Sequence, residues 1–474
     1  QIDEELAHMN AQLVEEPFFL AGTFSQEYLE LPAEVLASCM KKNQKICACY
    51  DAKGRLGSQA SLADSQAGRM KNQFVAVMNG KRNGLAKIRS DYENVLDSRL
   101  KDARYFYELD TRESFETKKS KLAELVYLGK LGSVLDKTER LEKLAPEFAK
   151  ATGHQALASD LARVAALSKI DLVTHLVYEM PDLQGIVGRE YALEAKEKNE
   201  VALAIGTQYL PKNLTEDHLK VGKSMSLLGA LFGIMDRLDL IVGAFGTGME
   251  PSGSKDPFAL RRAGGIVVKL IRAFGISFSL QKVIRANVDL YGNKVKLDEM
   301  RLGLFIRDRI IFELGVKPGT RAGEILTSVI ASNVVDLADV FKRFDALTGM
   351  DEKVLIKAAK VIQRTANMLK GYGKTPGEPK EELLTEAEEK KLFELFRAQA
   401  KDVTEPLEKG EYEKATRVFA DLFAAPLNDF FDHVLVNAED AVLRENRMAL
   451  VAKVNRLYTA KIADLSALSR IDEE

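Results

Sequence analysis

At about residue 85 the spacing of apolar residues changes, and that single change limits the fold more than any motif does. Before it lie short apolar runs bounded by turn residues. Phe18-Phe19-Leu20-Ala21-Gly22-Thr23-Phe24, Lys45-Ile46-Cys47-Ala48-Cys49-Tyr50 and Phe74-Val75-Ala76-Val77-Met78 each read as a strand, the second closed by Asp51-Ala52-Lys53-Gly54 and the third by Asn79-Gly80. The polar, small-residue stretch 57–72 reads as a loop. After residue 85 the pattern is helical. Leu122, Leu125, Val126 and Leu128 recur at helical spacing, as do Leu157, Leu161, Val164, Ala165 and Leu167. Asp256-Pro257 predicts a helix start and Gly275 its stop. The chain has 474 residues, too many for one core, so at roughly 100–200 residues per domain a mainly α, multidomain protein is expected. Residues 371–380 carry three Gly and two Pro and predict an exposed connection. The resulting division is 1–95 as a mixed α/β segment, 96–275 as a helical domain, 276–341 as a helical linker and 342–474 as a helical bundle.

Composition excludes several classes of function. With 68 basic and 70 acidic residues the formal charge is −2, so general adhesion to nucleic acid or membrane is not expected. Any RNA must be held by local patches. Three cysteines cannot build a disulfide scaffold or a complete Cys-based zinc site, and they read as reduced thiols in a cytoplasmic protein. No run of 18 or more apolar residues occurs, so no membrane span is expected. The chain starts at Gln1, which suggests a fragment or processed form.

Three constellations could carry chemistry. The first is the glycine-rich segment 243–257, leading into Phe258-Ala259-Leu260-Arg261-Arg262. Such a loop before a helix can hold a phosphate on free N–H groups. The order Ser254-Lys255 is wrong for a P-loop, however, and no strand precedes it. Arg261 and Arg262 fall in a first helical turn, where cations oppose the helix dipole. They pair with Glu250, Asp256 or another domain, or they contact RNA. The second lies at 168–191, with Lys169-Ile170-Asp171-Leu172 and the later Met235-Asp236-Arg237-Leu238-Asp239. Its layout resembles an HD domain, but Lys169 stands where a metal-binding His is needed, and an ammonium cannot ligate a metal. The third is the last helix. Five basic residues and one acid between Arg444 and Lys461 give a local charge of +4. Leu450, Val451, Val454, Leu457 and Tyr458 define its apolar face. Arg447 falls on that face, which predicts a core acid as its partner, such as Asp432 or Asp440.

Together these segments resemble the β subunit of bacterial two-subunit glycyl-tRNA synthetase. The resemblance covers nearly the whole chain and is strongest over Gly253-Ser254-Lys255-Asp256-Pro257-Phe258-Ala259-Leu260-Arg261-Arg262-Ala263. Arg99 to Tyr107, Leu131 to Arg140, Lys169 to Leu172, Pro181 to Tyr191, Phe430 to Val434 and Arg444 to Arg447 follow in family order. The segment 57–72 looks like a local insertion, and Asn437-Ala438-Glu439 replaces a more apolar pattern. The resemblance implies a degenerate HD-like domain over 96–275 and an anticodon-binding bundle over 342–474. It also implies further domains before the present N-terminus. A separate α subunit would hold the adenylation site with its ATP and Mg2+, in an α2β2 assembly that charges tRNA with glycine. In this chain no catalytic residue and no metal ligand is expected. Lys137, Arg140, Arg189, Lys255, Arg261 and Arg262 are candidate contacts to tRNA in the first part of the chain, and Arg444, Asn446, Arg447 and Arg456 in the last. A free-standing RNA-binding or scaffold protein and an HD-type metal-dependent phosphohydrolase are the alternatives, and neither DNA nor membrane is an expected partner.

Overall fold

The computed structural model describes residues 4–51, 69–80, 82–332 and 336–468. It divides into two compact units, 1–276 with 281–306, and 277–280 with 307–474.

In the first unit the strands form where alternation and β-branched or aromatic content require them: β1 is Pro17–Thr23, β2 Cys47–Tyr50 and β3 Met70–Asn79. They make one antiparallel sheet in the order β1-β3-β2, with Phe19 opposite Val77 and Cys47 opposite Val75. Of the stretch 57–72 expected as a loop, residues 57–68 lie outside the described residues and 70–72 begin β3. Leu20 and Phe74 on the sheet's inner face share one core with Val35, Met40, Leu96 and Leu100, and also with Leu176, Leu183 and Val187. The expected boundary at 95 therefore does not separate two bodies. It falls inside the helix Leu85–Thr111, whose apolar side belongs to that core. The boundary at 341 likewise falls inside the helix Leu337–Gly349.

The rest of the first unit packs around the helix Leu227–Gly246, which touches the helices Val134–Ala151, Ala158–Leu167, Asn199–Thr207 and Leu260–Phe274. Sixteen of its 20 residues are buried, so any charge it carries must be met inside the protein. Two local expectations fail here. Leu122–Glu124 is a single 3-10 turn, Leu128 is left-handed, and Val126 bridges Ser133 with 77% of its surface exposed. The left-handed backbone at Gly129 and Gly132 folds the chain back on itself and breaks the helical spacing. The second failure is at Asp256-Pro257. The helix begins at Leu260, after a turn in which Ala259 is left-handed, so Pro257 is not its first residue. Gly275 does end that helix, at φ 62.

The second unit is wholly helical among its described residues. Glu352–Lys370, Ala387–Glu408, Tyr412–His433 and Ala441–Thr459 form its bundle, with Ile362, Phe419, Phe423, Phe430, Leu450 and Val454 fully buried. Phe419 and Tyr458 pack at 4.8 Å between ring centroids, and the Tyr458 hydroxyl meets Thr416 at 3.0 Å. The stretch 371–380 is a connection within this bundle, exposed along most of its length but with Pro376 buried. Among the described residues no helix is long and apolar enough to cross a membrane.

Candidate functional site

The first unit gathers one cluster of largely buried charges beside its central helix. Asp236 and Asp239 stand one turn apart on the central helix, and Lys137 and Arg140 stand one turn apart on Val134–Ala151. The Lys137 ammonium lies 3.0 Å from both carboxylates. Arg140 grips Asp239 at 3.1 Å through Nε, and its guanidinium lies 4.0 Å from the centroid of the Tyr291 ring. Lys169 reaches Gln208 at 2.7 Å and Asp236 at 3.3 Å. Burial would push the Asp236 carboxyl up, but the Lys137 and Lys169 ammoniums outweigh it and hold Asp236 well below the usual carboxylate range. Burial likewise lowers Lys169. Asp171 differs. One of its oxygens accepts the Gly185 N–H at 2.5 Å, the other has no hydrogen-bond partner among the described residues, and burial pushes its pKa up to about 6. Lys169 is thus a buried cation bonded to Asp236.

The placement of the candidate RNA contacts divides them sharply. Lys137 and Arg140 are 5% and 7% exposed and their charges are matched internally. Arg189 is 8% exposed and held by Glu34 at 2.7 Å and by Glu190. These three are positioned as internal ion pairs, and a phosphate would have to displace a carboxylate to reach them. Lys255 and Arg262 are exposed, with no ion-pair partner among the described residues. Arg261 donates to the Gly253 carbonyl at 2.7 Å. Of the acids weighed as its partners, Glu250 faces Arg301 at 3.5 Å and Asp256 accepts the Arg261 backbone N–H rather than its guanidinium. The glycine-rich segment does not form an open phosphate cradle. Asp256 takes the N–H groups of Leu260 and Arg261 at 2.7 and 3.0 Å, while Ser252 and Lys255 bond each other's backbone.

In the second unit the last helix spends most of its polar groups inside the bundle. Arg447 is 6% exposed and bonded to Glu389, itself fully buried, and to the Leu435 carbonyl at 2.8 Å. The expected core acid is present, but it is Glu389, since Asp432 faces Arg364 and Asp440 caps its own helix. Asn446 clamps the backbone of Lys380 in both directions, at 2.6 and 3.0 Å. Arg444 donates to the Ala438 carbonyl at 3.1 Å, and Lys453 pairs with Glu378. Arg456 and Lys461 remain exposed.

Sequence reasoning missed a stronger signal in the same unit. Residues 353–377 contain six basic residues and no acid, in a chain whose totals nearly cancel. Lys353, Lys357, Lys360 and Arg364 recur at helical spacing on Glu352–Lys370, and all four are exposed. A charge count over a 25-residue window is the signal that marks them.

Two family models match. Residues 1–329 match the glycyl-tRNA synthetase beta subunit, and residues 359–463 match the DALR anticodon binding domain. Among curated relatives, the glycine–tRNA ligase beta subunit of Myxococcus xanthus is 34% identical over 479 residues, covering 98% of this chain and 65% of the relative. That of Acinetobacter baumannii is 35% identical over 462 residues, covering 96% and 63%, and that of Delftia acidovorans 32% over 469, covering 98% and 63%. The chain thus spans slightly less than two thirds of these relatives' length. The chain belongs to the glycyl-tRNA synthetase beta subunit family.

Proposed function

We propose that this chain is the tRNA-recognition part of a glycine–tRNA ligase, supporting ATP-dependent glycylation at an active site on a separate α subunit. The observation that carries this reading is the order of the two family matches, a synthetase β-subunit body followed by a DALR bundle. The partner set is the α subunit, in an α2β2 assembly working in the cytoplasm, and tRNA(Gly). ATP and Mg2+ belong to the α subunit. Lys255 and Arg262 are the exposed cations that contact acceptor-end phosphate, with Arg261 held beside them by Gly253. A buried cluster whose acids already face Lys137, Lys169 and Arg140 suits a rigid support for that surface.

The test is ATP–pyrophosphate exchange and tRNA charging with glycine, by this chain alone and with the α subunit added. The chain alone forms no glycyl-adenylate yet binds tRNA(Gly), and exchange appears only with the α subunit. Glycine-dependent exchange by the isolated chain, or no tRNA binding in either setting, refutes the reading.

A further inference from the structure

The cations on the helix Glu352–Lys370 lie at i, i+4, i+7 and i+11, a single stripe about 16 Å long at ~1.5 Å per residue. Like charges at such spacing repel, by roughly 0.2–0.5 kcal/mol per pair. Lys353, in the first turn, also opposes the helix dipole. The neighbouring helix Tyr412–His433 meets only half of this charge. Asp421 pairs with Lys357 at 2.7 Å and Asp432 with Arg364 at 3.5 Å. Lys353 and Lys360 have no acidic partner among the described residues. Lys370 at the end of the helix and Lys374 beyond it continue the basic run.

At its far end the stripe meets an aromatic ring. The Arg364 guanidinium lies 5.1 Å from the centroid of the half-buried Phe431 ring. Asn428 and Asp432 hold its two nitrogens, so the planar group is fixed while 41% of the side chain stays exposed. Leu435, one turn further along the chain, is 70% exposed. Two unmatched ammoniums on either side of the paired Lys357, with a fixed guanidinium and an aromatic ring beyond them, suit a single-stranded nucleic acid: phosphates at Lys353 and Lys360 and an unpaired base at the ring. An acidic polypeptide would use the row and leave the ring idle.

We propose that this face, Lys353, Lys357, Lys360 and Arg364 with Phe431, is where the bundle holds single-stranded RNA, in preference to the last helix whose polar groups are engaged internally. The proposal rests on the reading of the chain as a tRNA-binding subunit and commits it to one surface. Lys353 and Lys360 contact phosphates, and Arg364 with Phe431 is the stacking platform for one base of the loop.

The experiment measures equilibrium binding of the full chain to a tRNA(Gly) transcript and to an anticodon-substituted transcript over a salt series. Three variants are compared with the unaltered chain: Lys353→Gln/Lys360→Gln/Arg364→Gln, Phe431→Leu and Phe431→Tyr. All these positions are exposed or half-buried, and retained melting temperature establishes that each variant folds. The triple variant loses about 1.4 from its salt slope, two phosphate contacts at ~0.7 each for a single strand, together with the Arg364 side of the stacking platform. Phe431→Leu keeps the slope but loses roughly tenfold in affinity for either transcript, because any base has a face to stack, and Phe431→Tyr restores it. If the unaltered chain binds tRNA and every variant binds it as tightly and with the same salt slope, the surface is wrong while the general reading stands. If the unaltered chain binds no tRNA even with the α subunit present, both fall. If the triple variant loses affinity for a poly-glutamate probe and none for tRNA, the row docks an acidic polypeptide and the proposal is overturned.

Discussion

Asp171 is a carboxyl group that this fold keeps reluctantly ionised. Its folded pKa is raised to about 6 from an ordinary 3.8, because burial outweighs the Gly185 N–H, the Lys169 ammonium and the nearby backbone N–H groups that favour the charged form. The folded state thus holds the proton more tightly than the unfolded state does. Ionisation costs nothing below about pH 4, costs progressively more through pH 6, and costs its full amount above it. Two units correspond to about 3 kcal/mol. Asp171→Asn keeps an acceptor for Gly185 and removes that cost. The variant should be more stable than the unaltered chain in urea melts at pH 7.5, with the advantage gone at pH 4; an advantage for the unaltered chain at pH 7.5 would show that the carboxylate itself is favourable there. Arg447 and Glu389 behave in the opposite way. Arg447→Met leaves a fully buried carboxylate without its cation and should cost about 3–5 kcal/mol. The double variant Arg447→Met/Glu389→Met should be far less damaging than the sum of its singles, and strict additivity in a double-mutant cycle would contradict the pairing.

The helix Leu260–Phe274 separates two accounts of how a helix starts. If Pro257 were its first residue, Pro257→Ala would matter and Asp256 would cap from the adjacent position. Instead Asp256 reaches across a turn to the Leu260 and Arg261 amides. Asp256→Ala should therefore cost about 1–2 kcal/mol, with Pro257→Ala close to neutral; equal losses in thermal melts would restore the simpler account. The same helix shows what periodicity can and cannot reveal. The stop at Gly275 was legible because a left-handed cap favours glycine whatever surrounds it. So were the three strands, as short apolar runs closed by turn residues. The break at Leu125–Leu128 was not legible, since four leucine and valine side chains at helical spacing are compatible with a turn once glycine backbones fold the chain back. In the candidate site, the burial of Arg447 was legible from its position on the apolar face. Its partner Glu389 was not, because 58 residues separate them and only tertiary packing brings them together. The same reason hides the internal pairing of Lys137 and Arg140, which from sequence alone look like any other helix cations.

On the scale of the whole chain, the division into two compact units has a thermodynamic consequence. Each has its own buried core, the first around Leu227–Gly246 and the second around Phe419, Phe423 and Tyr458. Units with separate cores need not unfold together, so calorimetry should show two transitions, each close to two-state. The residue-scale variants identify them: Asp171→Asn should move only the first unit's transition at neutral pH, and Arg447→Met only the second's. A ligand that binds a folded unit raises that unit's transition by mass action, by RT ln(1 + [L]/Kd), or about 2.7 kcal/mol at ~100 times Kd. A tRNA held by exposed cations on both units should therefore raise both. An anticodon-substituted tRNA keeps its acceptor end unchanged, so it should still raise the first transition while its effect on the second shrinks. In the Lys353→Gln/Lys360→Gln/Arg364→Gln variant, cognate tRNA should also lose most of its effect on the second transition and keep its effect on the first. A single transition that both tRNAs raise equally would mean that the chain unfolds as one body and that the anticodon contributes nothing to its binding.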